Sequence, residues 1–156
     1  MIKVLFVCLG NICRSPLAEA IFNKKVKEAG LEGQVMSDSA GTANYHIGEN
    51  PDPRTVEIAE KHHTPINHKG QQFKKHHESE YDYLIAMDQS NYQNMIREMG
   101  IPSPKLLLMR DFDPDGKGQD VPDPWYGGMD GFENVYQILD RSIDSFIRSM
   151  RAEQGL

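Results

Sequence analysis

Residues 8 to 16 read Cys8-Leu9-Gly10-Asn11-Ile12-Cys13-Arg14-Ser15-Pro16, and these residue types at this spacing suit phosphate chemistry. A loop of this kind can turn its backbone N–H groups inward as a nest, and the dipole of a following helix adds positive field. Gly10 permits close backbone approach or a positive φ, and Asn11 is the type next most tolerant of a left-handed conformation. Arg14 can fork two phosphoryl oxygens at once, which lysine cannot match geometrically. Ser15 followed by Pro16 makes a good cap and first-turn pair. The field that holds a phosphate also lowers a thiol pKa, so Cys8 is expected to be a thiolate at neutral pH, aimed at phosphorus. The competing reading makes Cys8 a buried core thiol and Arg14 a solvated helix residue, and for a lone cysteine it would win. The strand before the loop, the glycine within it and the Ser-Pro-opened helix after it favour the nucleophile.

Expelling an alkoxide or phenoxide from phosphorus needs a proton donor. Asp123 lies between Pro122 and Pro124, and Trp125 and Tyr126 beyond it can wall a slot for an aromatic leaving group. Partial burial against those rings, near a phosphate dianion, would raise its pKa toward a useful value. On composition alone an exposed aspartate in a proline turn is the simpler reading. Asp111-Phe112-Asp113-Pro114-Asp115-Gly116 imitates the start of a calcium loop, but its twelfth position is Pro122 rather than glutamate, so a surface turn is expected. Histidines 46, 62, 63, 68, 76 and 77 have no cysteine at ligand spacing, and solvated surface is expected for most of them.

These groups must be positioned by regular elements. Apolar runs at Ile2–Val7, Tyr83–Met87 and Lys105–Met109, with a weaker one at Val35–Ser39, read as strands. The first and third are nearly continuous, as for parallel strands covered on both faces. Leu17, Ile21 and, less regularly, Val26 mark a helix ending at Gly30. Arg54–Lys61 marks another, entered through Pro53, and Tyr92, Met95, Ile96 and Met99 a third that stops at Gly100. Val135, Ile138, Leu139, Ser142, Ile143, Phe146, Ile147 and Met150 form one face of a C-terminal helix. Strands alternating with helices imply an α/β fold: a single open, mostly parallel four-stranded sheet with helices on both faces, in a flavodoxin-like or Rossmann-like three-layer arrangement. Ligands in such sheets bind beyond the carboxyl ends of the strands, where Cys8 falls.

The 156 residues fit one domain, 1–156, without repeat or linker. Seventeen Lys and Arg against 23 Asp and Glu give a net charge of -6, which argues against a nucleic-acid or anionic-membrane partner. No stretch approaches the roughly 18 apolar residues of a membrane span. The apolar run within Met1–Leu9 is too short for a signal-peptide core and reads as a buried strand. Two cysteines five positions apart make no disulfide framework, so a cytoplasmic monomer with reduced thiols is expected.

The run from Val7 to Pro16 closely resembles the signature of the low-molecular-weight protein tyrosine phosphatases. The resemblance continues through Asp38-Ser39-Ala40-Gly41-Thr42, Met87-Asp88-Gln89-Ser90-Asn91 and Asp123-Pro124-Trp125-Tyr126-Gly127, in the family's order and spacing. It implies hydrolysis of phosphotyrosine in a protein substrate, with no cofactor and no metal. Cys8 would attack phosphorus, Arg14 and the amides of Leu9, Gly10, Asn11, Ile12, Cys13, Arg14 and Ser15 would hold the oxygens, and Asp123 would serve as general acid and then base. It also implies that Asn11 pins the loop, that Ser15 donates to the Cys8 sulfur, and that His68 and Asp88 support the loop. Tyr45 would stack on the substrate ring beside Trp125 and Tyr126. Cys13 either fills the loop interior or, as the resemblance favours, traps oxidised Cys8 as a disulfide. Such an enzyme should keep its activity in EDTA, lose it to vanadate, and show a bell-shaped pH profile favouring mild acid.

The chain departs from the family pattern at Gly70-Gln71-Gln72, where Ala-Arg-Gln is common, and at Trp125, where tyrosine is usual. An arsenate reductase on the same fold needs further cysteines downstream, and none follows Cys13. A protein-arginine phosphatase tends to carry threonine where Ile12 stands. A phosphate-binding module without turnover needs neither a thiolate nor an acid.

Overall fold

The computed structural model describes all 156 residues. Its elements run β1 (Ile2–Cys8), α1 (Arg14–Glu28), β2 (Val35–Gly41), α2 (Pro53–Lys61), α3 (His77–Glu80), β3 (Tyr83–Ala86), α4 (Gln89–Met99), β4 (Leu106–Leu108) and α5 (Met129–Gln154). The four strands pair in the order β2-β1-β3-β4, every pairing parallel. This is the open α/β sheet expected, wholly parallel rather than mostly so.

The period-2 alternation of a strand divides β1 between two cores. Val4, Phe6 and Cys8 face the larger one, with Leu17, Ile21 and Phe22 of α1 and Leu139, Ile143 and Phe146 of α5. Leu5 and Val7 face the smaller one, with Met95 and Met99 of α4. A strand buried on both faces needs apolar residues throughout, which explains the unbroken run at Val4–Val7. The same two-sided burial blurs the period of α1, where every residue from Arg14 to Phe22 is buried. All eight residues of the α5 face are buried.

One helix start differs from expectation and another agrees with it. Helix α1 begins at Arg14, with Cys13 as its cap position and no side-chain cap, because the Ser15 hydroxyl is used elsewhere (below). Helix α2 begins at Pro53 behind Asp52, whose carboxylate accepts from the Arg54 N–H at 2.8 Å. The short helix α3 carries no periodic signal, and a 3-10 turn over Met109–Phe112 follows β4. No helix is long and apolar enough to cross a membrane.

Candidate active site

Strand β1 delivers Cys8 to the carboxyl edge of the sheet, and the chain reaches α1 within five residues. The positive φ in this loop is at Asn11, at 59°. That conformation costs an ordinary L-residue roughly 1–2 kcal/mol. Asn11 offsets it with a complete set of bonds. Its Nδ2 donates to Ser15 Oγ at 2.8 Å and to Ser39 Oγ at 3.0 Å. Its Oδ1 accepts from His68 Nε2 at 2.7 Å and from the Gln71 N–H at 2.9 Å. Gly10 serves the other purpose, close approach: a Cβ there would meet the His46 ring at 3.1 Å.

The sulfur of Cys8 accepts from the Asn11 N–H at 3.3 Å and lies 3.0 Å from Ser15 Oγ. Ser15 Oγ already accepts from Asn11, so its own proton is free for Cys8 Sγ, with the Ala40 carbonyl at 3.4 Å the longer alternative. This is why Ser15 does not cap α1. Behind Asn11, His68 is buried with Nδ1 at 3.1 Å from Glu19 Oε1 and 3.6 Å from Asp38 Oδ1. Both ring nitrogens thus face acceptors, and the loop rests on a polar network reaching through α1 and β2.

Arg14 is 3% exposed. Its Nη1 donates to Asp88 Oδ2 at 2.7 Å and to the Val121 carbonyl at 2.9 Å, while Nη2 lies 3.8 Å from Asp123 Oδ2. Burial alone would depress the guanidinium, but Cys8, Asp88 and Asp123 hold it above its ordinary range. Asp88 divides its carboxylate, since Oδ1 also caps α4 through the Asn91 N–H at 2.7 Å. Cys13 is buried beneath the loop as a free thiol. Burial, then Asp52 and Cys8, push it up to about 12.

A cavity of about 230 Å³ opens over Cys8, with Arg14, Ile12 and Asp123 among its walls and Tyr45, His46, Trp125 and Tyr126 around its mouth. The largest cavity, about 1030 Å³ along α1 and β2, lies away from Cys8 and Arg14, so the chemistry singles out the smaller one. Such a cavity can hold a phosphoryl group against a thiol, with an arginine at its oxygens and a carboxylic acid at its mouth.

The residues assigned to the phosphate site converge here, and three expectations are corrected. Asp123 is only partly covered: its side chain is 41% exposed, and Oδ1 accepts from the Trp125 N–H at 3.0 Å. The Pro turn leaves that carboxylate at the rim, and Tyr126, 94% exposed, edges the mouth rather than walling a slot. Among the histidines, His46 lines the cavity, His77 is buried against Phe73, and His62 stacks on Tyr136 with ring centroids 4.0 Å apart. The calcium-like run is not simply a surface turn, because Asp113 is buried between Arg110 and Arg141 at 2.9 and 2.8 Å. Glu19, Ser39, Asp52 and Arg54 were missed. Asp52 carried a signal, the Asp-Pro pair of a helix start.

An open parallel sheet with a thiol and an arginine in one phosphate-sized loop suits enzymes that transfer an oxyanion group to sulfur. The profile of the low molecular weight phosphotyrosine protein phosphatases matches residues 3–155, and the chain belongs to that family. It is 50% identical over 152 residues to the low molecular weight phosphotyrosine protein phosphatase of Saccharomyces cerevisiae, covering 94% of each chain. Among solved structures, a protein tyrosine phosphatase from Entamoeba histolytica superposes with a TM-score of 0.91 at 35% identity, covering 99% of each chain. YfkJ from Bacillus subtilis gives 0.91 at 38% identity, covering 98% of this chain and 96% of that one.

Proposed function

We propose that the protein hydrolyses phosphotyrosine in protein substrates in two steps through a cysteinyl-phosphate. The Cys8 thiolate attacks phosphorus in line, the P–O ester bond breaks, and Asp123 gives its proton to the departing phenolate. Asp123 as base then takes a proton from water, which attacks phosphorus and breaks the P–S bond. Ser15 stabilises the departing thiolate, and Arg14 with the loop amides holds the oxygens throughout. The observation that carries this is the meeting of Arg14 Nη2 and Asp123 Oδ2, 3.8 Å apart, over the cavity that contains Cys8. Every group comes from one chain, so a monomer suffices, and the free thiols suit the reducing cytoplasm.

The first test is phosphate release from matched phosphotyrosyl, phosphoseryl and phosphoarginyl peptides, with Cys8→Ser protein as control. Turnover of the phosphotyrosyl peptide alone, absent from the variant, is expected. Preference for phosphoarginine would move the protein to the arginine phosphatases, and binding without turnover would leave a recognition module.

Cys13 is the resolving thiol in this reading. After peroxide converts Cys8 to a sulfenic acid, Cys13 displaces water from it and closes a disulfide. Burial and Asp52 still hold this thiol up once Cys8 is oxidised, so it stays mostly protonated at neutral pH and closure should accelerate as pH rises, by nearly tenfold per unit across the neutral range. Stopped peroxide reactions read by mass spectrometry check this, and closure independent of pH would contradict it.

A further inference from the structure

Arg54 is far from Cys8 in sequence and has no part in the chemistry above, yet it is bound directly to the loop that carries Asp123 and, through Asp52, to the phosphate loop. Its foothold is Asp52, 6% exposed, which takes its Nε at 3.1 Å and its Nη2 at 3.0 Å. Asp52 is itself fastened to the phosphate loop, its N–H donating to the Ile12 carbonyl at 2.8 Å. Burial alone would raise the Asp52 carboxyl, but the Arg54 bonds hold it below its usual range. The remaining guanidinium nitrogen, Nη1, crosses to the other loop and donates to the carbonyls of Trp125 at 3.1 Å and Gly127 at 3.3 Å. The guanidinium carbon also lies 5.4 Å from the centre of the Trp125 ring and 4.6 Å from that of Phe132.

Trp125 is where this matters, because its N–H is the donor that orients Asp123 Oδ1. One residue therefore holds the acid with its N–H and is held by Arg54 through its carbonyl. We propose that Arg54 is a positioning residue for the proton donor: standing on Asp52, it fixes the Trp125 main chain that aims Asp123 and so sets the acid's reach to the leaving-group oxygen. This rests on Asp123 being that donor. Removing Arg54 breaks no bond made by Cys8, Arg14 or the Asn11 side chain and takes from the acid's loop its ties at Trp125 and Gly127, and misplacing the acid by an ångström costs on the order of 100-fold where it is needed. An acid is needed for a poor leaving group such as phenolate and hardly at all for a nitrophenolate, which departs unprotonated.

The experiment measures kcat/KM for a series of aryl phosphates, from 4-nitrophenyl to unsubstituted phenyl, with Arg54→Ala and Arg54→Lys proteins. Vanadate affinity is measured alongside, and Arg54→Ala is also made in an Asp123→Asn background. Expected for Arg54→Ala is a loss on the order of 10- to 100-fold with phenyl phosphate. The loss should be under about threefold with the nitrophenyl ester, with vanadate affinity unchanged and a flattened alkaline limb in the pH profile. Arg54→Lys should recover part of the loss, since lysine keeps the charge but loses the fork. In the Asp123→Asn background the same change should cost nothing further. Equal losses on all esters, weakened vanadate binding, full additivity with Asp123→Asn, or no loss at all would each overturn the proposal. If Asp123→Asn alone left the leaving-group dependence unaltered, the acid assignment itself would fall, and this proposal with it.

Discussion

Around Cys8 the phosphate loop keeps its polar side chains inside, Asn11, Arg14 and Ser15 being almost wholly buried, whereas Asp123, Trp125 and Tyr126 in the facing loop all reach solvent. Asn11 alone is tied to Ser15, Ser39, His68 and Gln71, three of them from outside the loop. The facing loop has Val121 bonded to the Met87 carbonyl, one turn from Gly127 to Pro124, and the reach of Arg54. The difference follows from what each side meets. Three equatorial oxygens on phosphorus are the same in every substrate, so donors for them can be fixed in advance, and preorganised charge stabilises the transition state most when it need not move. The leaving group differs from one substrate to the next, and an acid at an open rim accommodates that variety.

The comparison predicts two kinds of failure. Arg14→Lys keeps the charge but replaces a planar fork with a point donor, so its bonds to Asp88 and Val121 and its grip on two oxygens cannot all be kept. The expected loss in kcat/KM is on the order of 10²–10³, the size of removing one fixed donor from an oxyanion site, and equal for every aryl phosphate tested. A loss confined to poor leaving groups would mean that Arg14 acts through Asp123 rather than on phosphorus. Asp123→Asn should fail the other way. With phenyl phosphate it should lose about 10²-fold, the lower range for a general acid, while 4-nitrophenyl phosphate loses little and vanadate binds as before. Should the two variants give the same profile across leaving groups, the division between a fixed binding side and an adjustable acid side would collapse.

The two sides also differed in how much the sequence disclosed. The phosphate site is carried by nine consecutive residues that run from the end of an unbroken apolar strand into a helix, so local spacing carries its chemistry. Strand β1 and the face of α5 were equally plain, because burial on two faces or on one leaves a characteristic pattern of apolar residues. The supports were hidden. Glu19 reads as one more polar residue on a helix, and Ser39 as one in a weak strand, until the fold brings both against His68. Arg54 lies about seventy positions from Trp125 and no periodicity relates them. The Ser15-Pro16 cap failed for a related reason, since a local rule gave way to a buried bond with Cys8 that only the folded chain contains. His46, one of six histidines of which most were expected at the solvated surface, lines the cavity because Gly10 leaves room for its ring.

Tyr126 offers the smallest effect and the finest test of the open side. It is 94% exposed and makes no hydrogen bond through its hydroxyl, so the fold owes it almost nothing, and a surface change of this kind costs about 0.5 kcal/mol or less. If the rim only brushes the substrate, Tyr126→Ala should raise KM for a phosphotyrosyl peptide by no more than about twofold and leave kcat alone. Trp125 differs, being held by Arg54 and bonded to Asp123, so a change there disturbs the acid as well as the rim. A fall in kcat at Tyr126 comparable with that at Asp123 would show the ring closing over the bound substrate. The outer loop would then be ordered by substrate and no longer simply open, and its solvent-facing state would be only half of the catalytic cycle.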